Sequence, residues 1–131
     1  MSEETKVINQ ENSVNVSNIL DFKSISEFEK EFKPYGKFKV KIPTPAQQIK
    51  ISIAVERYLE DKGNIVDPAL YNFAEAVITL DNVIIEKPEN FPDIGDLYDQ
   101  SFITILWEWF LDCMTKFNEK VKKNKENLIK K

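Results

Sequence analysis

The sequence predicts a mainly α fold with a minor β element, and three observations carry that expectation. Two helix starts of the cap-plus-proline kind, Thr44-Pro45 and Asp67-Pro68, each precede apolar residues at helical spacing. A third helical run of apolar and aromatic residues fills the C-terminal part of the chain. Two short stretches, Lys37–Ile42 and Val83–Lys87, carry strand patterns, and three glycines are too few for a many-turned β sandwich. The elements are three main helices, at about 45–62, 68–81 and 96–125, and a short two-stranded β element at about 37–42 and 83–87. At 131 residues one domain is expected. It spans residues 19–125, between a disordered acidic tail (1–18) and a basic C-terminal tail (126–131).

In chain order, residues 1–18 lack apolar periodicity and are rich in Asn, Ser and Glu. The stretch Ser24–Phe32 fits a short helix. Ser24 is its cap and Glu27 completes a capping box, with Ile25, Phe28 and Phe32 on one face. Lys37–Ile42 alternates strictly, so Phe38, Val40 and Ile42 point one way and three lysines the other. Lysines on one face also suit an edge strand, because they discourage further pairing.

Thr44 caps the first long helix, Pro45 takes its first position, Gln47 completes the box and Gly63 stops it. Ile51, Ala54, Val55, Tyr58 and Leu59 lie on one broad face. Ile49 and Ile53 fall outside it, which fits either a central helix or contact with another molecule. In the second helix Leu70, Phe73, Ala74, Val77 and Leu80 make a stripe that ends at Asp81-Asn82. Val83, Ile84 and Ile85 then pair with the lysine-bearing strand. After a loop over 89–96, Asp93 or Asp96 caps the last helix. Its stripe includes Ile103, Leu106, Phe110 and Cys113. Phe102, Ile105 and Trp109 fall outside that stripe. They form a binding patch or are covered by the segment around Phe28 and Phe32.

Composition removes whole classes of chemistry. Histidine is absent, which excludes Ser-His-Asp and Cys-His nucleophilic catalysis and histidine metal sites. Cys113 is the only cysteine, so no disulfide within the chain and no multi-cysteine zinc site can form, and its place in an apolar stripe marks it as a small buried side chain. No glycine-rich phosphate loop or calcium-loop spacing is present. The expectation is therefore a non-enzymatic protein with no cofactor and no metal. The polar N-terminus lacks a secretory pattern and no apolar run approaches a membrane span, which predicts a cytoplasmic protein.

The net charge of −4 is unevenly spread. Residues 51–112 hold thirteen acids against three basic residues, whereas residues 113–131 hold seven lysines against two glutamates. Acidic middle and basic tail are either solvated faces or surfaces that pair between subunits. A nucleic-acid-binding regulator using Lys37, Lys39, Lys41 and the C-terminal lysines is a weaker reading, because the sequence pI is near 5 and the middle of the chain is strongly acidic.

The segment Ile42–Phe117 resembles the tail assembly chaperones of long-tailed bacteriophages and related prophages. The likeness rests on "IPTPAQ" before the first long helix, on "FAEAVITLDNVIIEKPENF" where helix passes into strand, on the acidic linker PDIGDLYDQ, and on the helix bearing Trp107, Trp109 and Phe110. Residues before Ile42 carry no part of it. The resemblance implies a chaperone that binds and solubilises the apolar, helical tape-measure protein and is displaced as tail-tube protein polymerises. It also implies a homo-oligomer in the host cytoplasm. Ile49, Ile53, Phe102, Ile105 and Trp109 are then the partner-binding candidates. The alternative on the same features is a structural or adaptor subunit of the phage particle.

Overall fold

The computed structural model describes residues 25–60 and 67–129. The expectations for the 1–18 tail, the Ser24 cap and the Gly63 stop lie outside these residues. The chain runs β1 (Glu27–Phe32), β2 (Gly36–Lys41), α1 (Pro45–Glu60), α2 (Pro68–Val83), β3 (Ile84–Glu86), a 3-10 turn (Ile94–Asp96) and α3 (Gln100–Ile129). The fold is mainly α with a small antiparallel sheet, as the sequence predicts.

The sheet has three strands in the order β1-β2-β3, one more than expected. The stretch expected as a helix over Ser24–Phe32 is strand from Glu27 onward. Its sequence, Glu-Phe-Glu-Lys-Glu-Phe, alternates with period 2 and meets the alternation of β2 residue for residue. Glu27, Glu29 and Glu31 lie opposite Lys41, Lys39 and Lys37, and Phe28 lies opposite Val40. Charge therefore meets opposite charge on the wet face, and apolar groups meet on the inner face. Pairing on both sides makes β2 the central strand and not an edge. The β1–β2 connection closes at Gly36, whose φ of +128° favours glycine, and a Cβ there would stand 2.9 Å from Pro88 Cγ. On the other side β3 pairs Ile84 with Val40 and Glu86 with Lys39 across a bulge.

Local caps start the first two helices. The Thr44 N–H donates to Gln47 Oε1 at 2.9 Å and the Gln47 N–H donates to Thr44 Oγ1 at 3.2 Å, a reciprocal capping box. Asp67 Oδ1 accepts from the Ala69 N–H at 3.3 Å ahead of Pro68. The Tyr71 hydroxyl donates to Glu56 Oε1 at 3.3 Å, tying α2 to α1. The second helix does not end at Asp81-Asn82 but continues to Val83 and passes directly into β3. Asp81 is drawn instead into holding the following loop, its Oδ1 accepting from the Ile94 N–H at 2.7 Å.

The last helix is capped by Asp99, and neither Asp93 nor Asp96 takes that role. Asp99 Oδ1 accepts from the Phe102 N–H at 3.2 Å, while Asp93 precedes the 3-10 turn with no side-chain cap bond and pairs with Lys87 at 2.9 Å. The helix extends through Ile129, about 45 Å at 1.5 Å per residue.

The core lies between the inner face of the sheet and the helices. Phe38, Val40, Leu80, Leu106 and Phe110 are essentially without solvent contact. Each such side chain contributes about 1.5–3 kcal/mol through burial. The buried face of α2 is formed by Ala76, Thr79, Leu80 and Val83, with Ala74 beside it. Leu70 and Phe73, expected within its core stripe, stand 45% and 36% exposed. Among the described residues no helix is long and apolar enough to cross a membrane.

Candidate binding surfaces

The five predicted contact residues fall into three environments. Ile49 and Ile53 lie one turn apart on the outward side of α1, away from its buried residues Ile51, Val55 and Leu59. They are 62% and 46% exposed, which makes them a true second apolar face on this helix. Ile105 is likewise exposed, on the early part of α3.

Phe102 and Trp109 are not exposed contacts. Phe102 is 4% exposed, and its ring lies 5.7 Å from Phe32, 5.6 Å from Phe38 and 4.3 Å from Tyr35 by centroid. Trp109 is half-buried edge-to-face against Phe32 at 5.2 Å. The physical reason is β1. Once residues 27–32 form a strand, Phe32 turns inward and covers the part of α3 that would be open if the helix packed on one side only. Phe102 is therefore a core residue. Ile105, between these two on the helix, remains outside.

Two of the three lysines of β2, Lys37 and Lys39, are held in ion pairs. Lys37 Nζ lies 2.9 Å from Glu29, and Lys39 Nζ lies 3.1 Å from Glu27 and 3.4 Å from Glu86. These hydrogen bonds and charges raise both lysines above the usual range and lower Glu29. The pairing offsets the charge of Lys37 and Lys39 that phosphate binding would draw on. Among the described residues no group of three or more His, Cys, Asp or Glu side chains is placed to hold a metal. Cys113 is buried, and desolvation pushes its thiol up to about 11, far from the range of a reactive thiolate.

Near the sheet, the Tyr35 hydroxyl donates to Asp99 Oδ2 at 2.6 Å, and the Ser101 hydroxyl donates to Asp99 Oδ1 at 2.7 Å. The Tyr35 bond, followed by those from Ser101 and the Phe102 N–H, lowers the Asp99 carboxyl and raises the Tyr35 phenol. One carboxylate thus caps α3 and fastens the β1–β2 connection to it.

A groove missed in the sequence opens between α2 and the segment leading into α3. It encloses about 540 Å³. Ala74, Ile94 and Ile103 form its buried floor, and Leu70, Phe73 and Val77 line its wall. A signal for it was present: Ala76 and Thr79 are small and share one side of the helix, and small residues there allow close approach to its neighbours. That side turned inward leaves Leu70 and Phe73 facing out, with Val77 half-buried beside them. A second apolar groove, of about 470 Å³, lies between residues 41–48 and the Met114, Phe117 and Val121 side of α3.

Comparison of the chain with protein-family models, with curated proteins and with solved structures finds no match.

Proposed function

We propose that this chain is a non-enzymatic binding protein of the tail assembly chaperone kind, which holds an apolar, helical tape-measure protein soluble in the host cytoplasm until tail-tube protein replaces it. The observation that carries the reading is the outward pair Ile49 and Ile53, two branched apolar side chains left in water on a helix whose other face already fills the core. Singly exposed apolar residues need no explanation, but a pair one turn apart presents a continuous apolar ridge of the kind that helix-to-helix contact uses. The likeness of Ile42–Phe117 supports the choice of partner, and the absence of histidine from the sequence excludes histidine-assisted nucleophilic catalysis.

The test is co-purification of the tape-measure protein with the Ile49→Asp/Ile53→Asp variant. The substitutions remove the ridge without touching the core, so helical circular dichroism is retained while the tape-measure protein is lost to the insoluble fraction. Undiminished co-purification would show that the ridge is not the contact. Trp109 is a poorer probe, because its packing on Phe32 couples binding to folding.

A further inference from the structure

We propose that the groove between α2 and the start of α3 is a docking site for an amphipathic helix of another protein whose apolar stripe is flanked by lysine or arginine. The wall residues set the shape of the ligand. Leu70, Phe73, Ala74 and Val77 follow one another at helical spacing, giving a seam of about two turns, or about 10 Å at 1.5 Å per residue. A seam of that spacing accepts the side chains of a second helix at i, i+3, i+4 and i+7. The volume of about 540 Å³ lies within the range of about 300–1,000 Å³ typical of ligand-binding clefts.

Charge sets the identity of the flanks. The charged residues lining the groove are Asp81 and Asp96, and no basic residue lines it. Asp81 Oδ1 is committed to the Ile94 N–H, which fixes its carboxylate at the rim. Across residues 67–103 there are eight acids and a single lysine, Lys87, whose Nζ is held by Asp93 at 2.9 Å. An acidic helix would meet like charge at Asp81 and Asp96, and an uncharged one would leave both negative charges without an opposite charge. A basic amphipathic helix satisfies the floor and the rim together. The inference stands on this groove alone and does not require the tape-measure reading.

The test uses the full chain and two synthetic peptides, a Leu/Lys amphipathic helix of about five turns and its Leu/Glu counterpart, followed by fluorescence anisotropy. The Leu/Lys peptide is expected to bind, and the Leu/Glu peptide to bind at least about tenfold more weakly. Leu70→Ser/Phe73→Ser should lower Leu/Lys affinity at least about tenfold, and Asp96→Asn should lower it several-fold and flatten its salt dependence. The Asp96→Asn and Leu/Glu arms decide the matter if the double variant folds poorly. Equal binding of the two peptides, or an Asp96→Asn protein with unchanged affinity and salt dependence, overturns the inference. Ile49→Ser/Ile53→Ser should leave peptide affinity unchanged. If that variant loses the peptide and the groove variants keep it, the groove assignment fails and the α1 ridge remains the contact.

Discussion

Phe102 separates a core role from a surface role most sharply. Its side chain is 4% exposed and packs among Phe32, Tyr35, Phe38 and Phe91, with centroid distances of 5.7, 4.3, 5.6 and 6.1 Å. Loss of its burial alone costs about 2–3 kcal/mol, and the cavity left by four rings that cannot all close inward raises the total for Phe102→Ala to about 3–5 kcal/mol. Domains of this size have about 5–15 kcal/mol in all, so the variant loses a large part of its stability. At about 4 °C per kcal/mol the thermal midpoint falls by about 12 °C or more. Ile105, three residues on and exposed, should cost within about 0.5 kcal/mol on replacement by alanine. Urea unfolding followed by far-ultraviolet circular dichroism measures both. A Phe102→Ala cost below about 1 kcal/mol, or an Ile105→Ala cost equal to it, would refute the packing argument.

Other expectations follow from local geometry. Thr44→Ala removes one half of the reciprocal cap with Gln47 and should lower stability by about 1 kcal/mol, read as a lower urea midpoint at unchanged slope. Cys113, with its thiol pushed up to about 11, should resist a thiol reagent in the native protein and react fully after unfolding; rapid native reaction would contradict its burial. The Asp99 carboxyl is held low chiefly by the Tyr35 hydroxyl, so its folded value lies below its unfolded one. Its stabilisation is complete above the usual carboxylate range and is lost as pH falls through the folded value. Tyr35→Phe should move the Asp99 titration, followed by carboxyl carbon shifts, up toward the ordinary value; an unmoved titration would assign the effect to Ser101 and the backbone instead.

What the sequence makes legible here is what is local. The Thr44–Gln47 box and the Asp67-Pro68 start involve atoms within three residues, so spacing alone identifies them. The strand at 27–32 is different. Ile25, Phe28 and Phe32 fit a helix face, while Phe28 and Phe32 also fit one side of a strand, and the choice is made by β2 across the turn. The clue lay in comparing two segments, because Glu-Phe-Glu-Lys-Glu-Phe and Lys-Phe-Lys-Val-Lys-Ile alternate with opposite charges around Pro34 and Gly36. Of the two roles open to Phe102 and Trp109, a binding patch or cover by the segment around Phe28 and Phe32, the strand selects the second, since Phe32 packs on both. The cap of α3 was expected at Asp93 or Asp96, and Asp99 takes it instead, held in place by Tyr35 from 64 residues away. Ile49, Ile53 and Ile105 were legible as outward residues because, among the described residues, no distant element comes over them.

The most direct test of the proposed function is co-expression of this chain with a candidate tape-measure protein, scored by solubility and co-elution. The account predicts that the tape-measure protein is soluble only in the presence of this chain and that the two elute together. A tape-measure protein that stays insoluble while this chain elutes alone would contradict it.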